Sequence, residues 1–267
     1  MFKLNHIILL IATALVFSSC EKVIDLDLKS SDSRIVIEGN IADSLGQIVV
    51  KISKSVNYNT NNEFPTVSNA VVKVTDDQGQ VYNLSETSSG KYVSSDLLLT
   101  NNQTYNLSVF AEGNTYVATS YMPVPVGIDS LGIEVINGFG IKDRKFVNVF
   151  FTDPLATTNY YQVIEYVNGK KTNDIFYDND EFREGKKITF TTFNNDDDLI
   201  LEKGDVVQIS LLSIDKASYE YFRTLAGIYV NSGGGQTTPA NPTSNISNNS
   251  LGYFSAHSVT TKVIIIP

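Results

Sequence analysis

Few side chains in this sequence are equipped for chemistry, and their spacing disfavours it. Among 267 residues there is one cysteine, Cys20, and there are two histidines. His6 sits in an apolar N-terminal run, so a hydrolase would depend for its base on His257, in the context Ser-Ala-His-Ser. No Gly-x-Ser-x-Gly elbow supplies a nucleophile to accompany it. His257 reads as an ordinary packing or surface residue, and the same scarcity removes histidine-based metal motifs. Gly233-Gly234-Gly235 runs into Gln, Thr and Pro, where a phosphate-cradling loop needs Lys and a helix, which argues against nucleotides.

Bunched acids are the remaining polar chemistry. Asn194 to Asp198 and Asp178 to Glu181 carry the oxygen donors that calcium takes, six to eight at a time, but lack the Asp-x-Asp-x-Asp-Gly spacing that would wrap them around an ion. They read first as solvated loops, with calcium as the one metal they suit. A carboxylate pair for glycoside hydrolysis has no motif behind it. The expectation is a non-enzymatic protein without a cofactor.

The thiol has a different use. Cys20 ends the run Leu15-Val16-Phe17-Ser18-Ser19-Cys20, preceded by Lys3 and the apolar stretch Ile7 to Phe17. A positive start, an apolar middle and small residues at the cleavage point read as a signal peptide over residues 1–19. The apolar run is about half of the roughly 20 residues that span hydrocarbon, so a transmembrane reading fails on length. Small residues ending directly on Cys resemble a bacterial lipobox, with Phe17 where Leu is commonest. Cys20 then becomes the first mature residue and carries acyl chains on its sulfur and amino group. The plain alternative is a secretory signal with a free thiol beside it.

The formal charge is −9, and removal of residues 1–19 takes away Lys3 and no acid, giving −9 − 1 = −10. Nucleic acid requires clustered Lys and Arg, so it is not a partner. With Cys20 acylated no thiol remains for a disulfide, and core packing alone must stabilise the fold outside the cell. A chain of this length ordinarily divides into two domains.

The elements that position these residues are mostly strands. Residues 20–33 read equally as a polar tether or, through Ile24, Leu26 and Leu28, as a short edge strand. From 34 to 122 alternation recurs, with Ile48, Val50 and Ile52, then Ala70, Val72 and Val74, then Tyr105, Leu107 and Val109 on one face. Asp76-Asp77-Gln78-Gly79 and Glu112-Gly113-Asn114 are turn signals. About seven strands in this span predict a β-sandwich of immunoglobulin or transthyretin type. In its loop Tyr58 to Pro65, Phe64 is either a binding aromatic or a ring folded back over its own sandwich.

Met122-Pro123-Val124-Pro125 interrupts the pattern, because proline donates nothing to a ladder. A second β-rich domain is expected over 123–267, with strands around Val147 to Phe151, Tyr161 to Tyr166, Ile188 to Phe190, Val207 to Leu211 and Val263 to Ile266. Its one short helix is predicted at about 216–226, with Asp215 as N-cap and Gly227 just past the end. The connection 231–250 is long for a compact domain and reads as an ordered, functional loop anchored by Leu251-Gly252-Tyr253-Phe254.

Cys20-Glu21-Lys22-Val23-Ile24-Asp25-Leu26-Asp27, Ala70-Val71-Val72-Lys73-Val74, Met122-Pro123 and Asn241-Pro242-Thr243-Ser244-Asn245-Ile246, followed by Leu251-Gly252-Tyr253-Phe254, resemble the Bacteroidota lipoproteins that carry domain of unknown function 4249. The resemblance spans essentially the whole chain and includes no catalytic motif. It implies an outer-membrane lipoprotein, often encoded beside a TonB-dependent receptor, without an established activity.

The expected protein is therefore anchored to the outer membrane through lipid on Cys20, exposed at the cell surface, and acts as the accessory subunit of a β-barrel partner. A surface glycan-binding or adhesive protein is the alternative, weakened by the absence of Trp. Contact residues are expected at Phe64, Asn241, Asn245, Tyr253 and Phe254. Asp43-Ser44-Leu45 and Asp129-Ser130-Leu131 resemble an O-glycosylation acceptor, which makes Ser44 and Ser130 modification candidates.

Overall fold

The structure, a computed structural model, describes residues 32–43, 46–57, 63–95, 97–138, 141–194, 199–232 and 241–267. The signal peptide, Cys20, most of the tether, Ser44 and Asp196 to Asp198 lie outside the described residues.

The first half is built as the alternation predicts. Strands β1 (Ile35–Ala42), β2 (Gln47–Lys54), β3 (Val71–Asp76), β4 (Val81–Ser88), β5 (Lys91–Ser94), β6 (Gln103–Ala111) and β7 (Asn114–Met122) form two layers. Ile48, Val50, Val72, Val74, Tyr105 and Leu107 are buried between them, while Lys51 and Val71 point outward. Glu112 and Gly113, both with positive φ, make the tight β6–β7 turn, and Gly79 (φ 83°) closes the β3–β4 turn.

The second half contributes β8 (Ile128–Gly138), β9 (Ile141–Thr152), β10 (Tyr160–Val167), β11 (Lys170–Lys171), β12 (Phe176–Asn179), β13 (Lys187–Thr192), β14 (Val206–Ile214), helix α1 (Lys216–Ser232) and β15 (Leu251–Ile265). Strands β8, β9 and β13 form a separate three-stranded sheet. All others join one sheet in the order β11-β10-β14-β15-β1-β2-β5-β4-β3-β6-β7, with β12 added beside β10. The chain is mainly β with sheets packed as sandwiches.

β15 unites the two halves. Its first part, from Leu251 to His257, pairs in parallel with β1, and its second part, from Ser258 to Ile265, pairs antiparallel with β14 on the opposite edge. One core holds Ile37, Val50, Tyr105 and Met122 together with Phe254 and Ala256 from the C-terminal region. A second holds Val149, Phe151, Tyr161, Val163 and Ile209, and a smaller third cluster packs the helix through Tyr219, Tyr221 and Phe222 against Leu212 and Ile214. Met122-Pro123 thus separates two cores, but Ser33–Pro267 is one compact unit. The first core is completed by residues more than a hundred positions away, which local periodicity does not encode.

Two glycines make the β1–β15 contact close. A Cβ on Gly252 would lie 2.0 Å from the Ile37 carbonyl oxygen, and one on Gly39 would lie 2.7 Å from the Phe254 ring. No side chain fits at either place.

The helix departs from expectation at its end. It continues through Gly227 to Ser232, since one interior glycine costs only about 1 kcal/mol and does not break a packed helix. Its start is as predicted: Asp215 Oδ1 accepts the Ser218 N–H at 2.8 Å. From 241 to 250 the long connection is ordered by specific bonds. Thr243 N donates to Thr224 Oγ1, Ile246 enters the first core, and Ser247 N donates to the Val117 carbonyl on the outer edge of β7. Val117 N in turn donates to Ser247 Oγ, and Asn248 Nδ2 bonds the Thr115 carbonyl. An open strand edge invites pairing with other chains, and this segment covers it.

Candidate functional site

Several cavities open on the described surface, and two of them lie along the outer face of β15, β1, β2 and β5. Outward side chains align there across neighbouring strands. Glu38 is opposite Tyr253 on one side and Lys51 on the other, and Lys51 is directly opposite Lys91. Partners in register share a face, so Tyr253, Glu38, Lys51 and Lys91 form one row.

Helix α1 covers the tyrosine end of this row. The Tyr253 ring lies 4.6 Å from that of Tyr221 and 5.1 Å from that of Phe222. Its hydroxyl bonds with the Asn40 side-chain amide, and burial pushes Tyr253 up to about 12, keeping it a neutral phenol. Beside the helix is a slot of about 290 Å³, with Gln162, Asp174 and Glu38 among the residues that line it.

Among the described residues nothing covers the lysine end, which forms a groove of about 720 Å³. Phe64, 57% exposed, and Asn241 stand at its sides, with Val36 and Leu251 among its apolar surfaces. Hydroxyl groups supply the rest of its polarity. Thr66 Oγ1 and Ser89 Oγ are 2.6 Å apart, and Ser55 Oγ accepts the Arg34 N–H. Glu86, behind this wall, is held below the usual carboxylate range because it accepts the N–H groups of Asn69 and Gly90, which fixes the turn carrying Lys91.

The predicted contact residues divide between this surface and the interior. Phe64 and Asn241 meet at the groove, and Tyr253 lies in the neighbouring slot. Phe254 is fully buried in the first core and so is not a contact residue. Asn245 is occupied in holding it: Asn245 Nδ2 donates to the Phe254 carbonyl at 2.7 Å, and Phe254 N donates to Asn245 Oδ1 at 2.9 Å. Ser130 is exposed on β8, the edge of the small sheet.

The other chemical candidates serve the fold. His257 is buried beside Ser255, and desolvation lowers it to about 4. Asp178 pairs with Arg183, Asp180 accepts the Asn159 N–H, and among the described residues no three His, Cys, Asp or Glu side chains are grouped to hold a metal. Sequence reasoning missed Lys51 and Lys91 as a pair. Lys51 was legible as an outward residue between Val50 and Ile52, but its cross-strand neighbour depends on the β2–β5 register.

The described residues thus form a double β-sandwich with one shared strand, one outlying helix and a polar groove on the outer face. The chain belongs to the family of the domain of unknown function DUF4249, which matches residues 21–263. No curated protein matches the sequence.

Proposed function

We propose that this protein is a non-enzymatic outer-membrane lipoprotein that serves as accessory subunit of a β-barrel complex, with a TonB-dependent receptor as the partner. The observation that carries the reading is Cys20, the only cysteine, directly after an apolar run and two serines. Each buried methylene of an acyl chain contributes about 0.8 kcal/mol, and more than one chain gives stable anchoring. Confinement beside barrels raises effective concentration, so a modest interface suffices. Purification in gentle detergent should recover a barrel protein, and Cys20→Ala should leave an uncleaved precursor or a protein released from the membrane. A Cys20→Ala protein that is processed and fractionates normally refutes the anchor, and recovery without any barrel refutes the partnership.

A second reading, surface glycan binding, is favoured by one specific observation. The groove beside β2 places an exposed aromatic ring, Phe64, among hydroxyl and amide groups, the combination that holds a sugar by its apolar face and its rim.

A further inference from the structure

We infer that the groove between Phe64 and the Lys51–Lys91 pair binds an acidic carbohydrate, with a carboxylate of the sugar seated between the two ammonium groups. The inference rests on the second reading above and does not depend on a barrel partner. Like charges placed directly opposite on adjacent strands destabilise a sheet. Lys51 and Lys91 are such a pair, both exposed, in a chain of net charge −9. Among the described residues no ion pair or hydrogen bond engages either ammonium. Glu38 is the one acid among the described lining residues, and it faces a single lysine across the β1–β2 register. A bound anion would relieve the repulsion that the fold leaves in place.

The rest of the groove selects the kind of anion. A cavity of about 720 Å³ is far larger than a lone inorganic anion needs and has room for several linked rings. Phe64 offers a ring face to the C–H side of a pyranose, and Thr66 and Asn241 offer hydrogen bonds to hydroxyl groups. A carboxylate shared by two lysines is a charge-assisted contact whose strength falls with salt.

The test is calorimetric titration of the full-length protein in detergent with tetragalacturonate, maltotetraose and inorganic phosphate. Tetragalacturonate should bind, with affinity that falls as salt rises. Lys51→Ala and Lys91→Ala should each weaken it about tenfold without lowering the melting temperature, and Phe64→Ala several-fold. Binding that ignores both lysine substitutions overturns the inference, as does phosphate binding that matches that of the oligouronate. Equal binding of maltotetraose, lost in Phe64→Ala, overturns the acidic selectivity and leaves the glycan-binding reading standing. Binding of neither oligosaccharide removes both.

Discussion

Asp215 Oδ2 accepts the hydroxyl of Ser120 at 2.7 Å and the backbone N–H of Tyr121 at 3.1 Å, while its other oxygen caps α1. Ser120 Oγ also accepts Ala256 N at 2.9 Å, so one carboxylate links the helix start, the edge of β7 and the shared strand. Asp215→Ala removes a cap and leaves two further donors without their acceptor. The cap alone contributes about 1 kcal/mol, and each hydrogen bond about as much again. Asp215→Ala should lower unfolding free energy by roughly 2–3 kcal/mol in urea titration, and Asp215→Asn by clearly less, because its amide oxygen still caps the helix. Equal losses for the two variants would show that the cap is irrelevant.

Two buried groups give opposite pH dependence. Glu165, 1% exposed, accepts the Thr192 hydroxyl across the gap between the two sheets of the second sandwich, and its Oε2 has no partner among the described residues. Burial pushes its carboxyl up to about 7 from the ordinary 4.5. Between those values the unfolded chain releases a proton that the folded chain keeps, so stability is full below 4.5 and is lost as pH rises through 7. His257 behaves inversely: lowered to about 4 from 6.5, it stays neutral when folded, and stability is lost as pH falls from 6.5. Each slope is about 1.4 kcal/mol per pH unit, and from 4.5 to 6.5 they cancel. The stability gained in Glu165→Gln, relative to the unaltered protein, should therefore grow with pH from 4.5 to 7, reaching ~3 kcal/mol. The advantage or deficit of His257→Gln should shift in its favour as pH falls from 6.5 to 4. Differences that do not vary with pH would mean that neither group is desolvated.

Asn245 and Phe254 form a side-chain imitation of strand pairing, with both amide bonds directed at the backbone of one residue. They close the edge of β15 that lies opposite its partner β1. Asn245→Ala should cost about 2–3 kcal/mol, the desolvation cost of two backbone groups left unpaired, and should speed amide exchange at Phe254. A neutral substitution would show that water replaces the amide there.

Much of this was legible because strand alternation is local. Val72 and Val74 against Lys73, the Glu112-Gly113 turn and the Asp215 cap were each readable within a few residues. The strand β8 was not, since Ile128 to Gly138 mixes Gly132 and polar residues without a clean period. The β1–β15 pairing was invisible for a different reason: it joins Val36 to Leu251, and no spacing rule reaches that far. The Lys51–Lys91 pair depends on a different register, that of β2 with β5, which joins residues 91 − 51 = 40 positions apart and is equally beyond local spacing.

The shared strand predicts how the molecule unfolds. Phe254 and Ala256 belong to the first core, and from Ser258 onward β15 pairs with β14, whose inward residues Val207, Ile209 and Leu211 build the second. Neither sandwich can lose β15 and keep its core covered, despite the proline-rich stretch between them. Thermal and urea unfolding should therefore follow one transition, with coincident curves from probes in each half. Tyr105, fully buried in the first core, and Tyr161, fully buried in the second, are suited to site-specific fluorine labels. Substituting Ala256→Asp, at a fully buried site on the first-core side, should destabilise both reports together. Two separated midpoints, or a variant in which the Tyr161 signal keeps its native transition, would show that the two cores are independent and that β15 merely touches both.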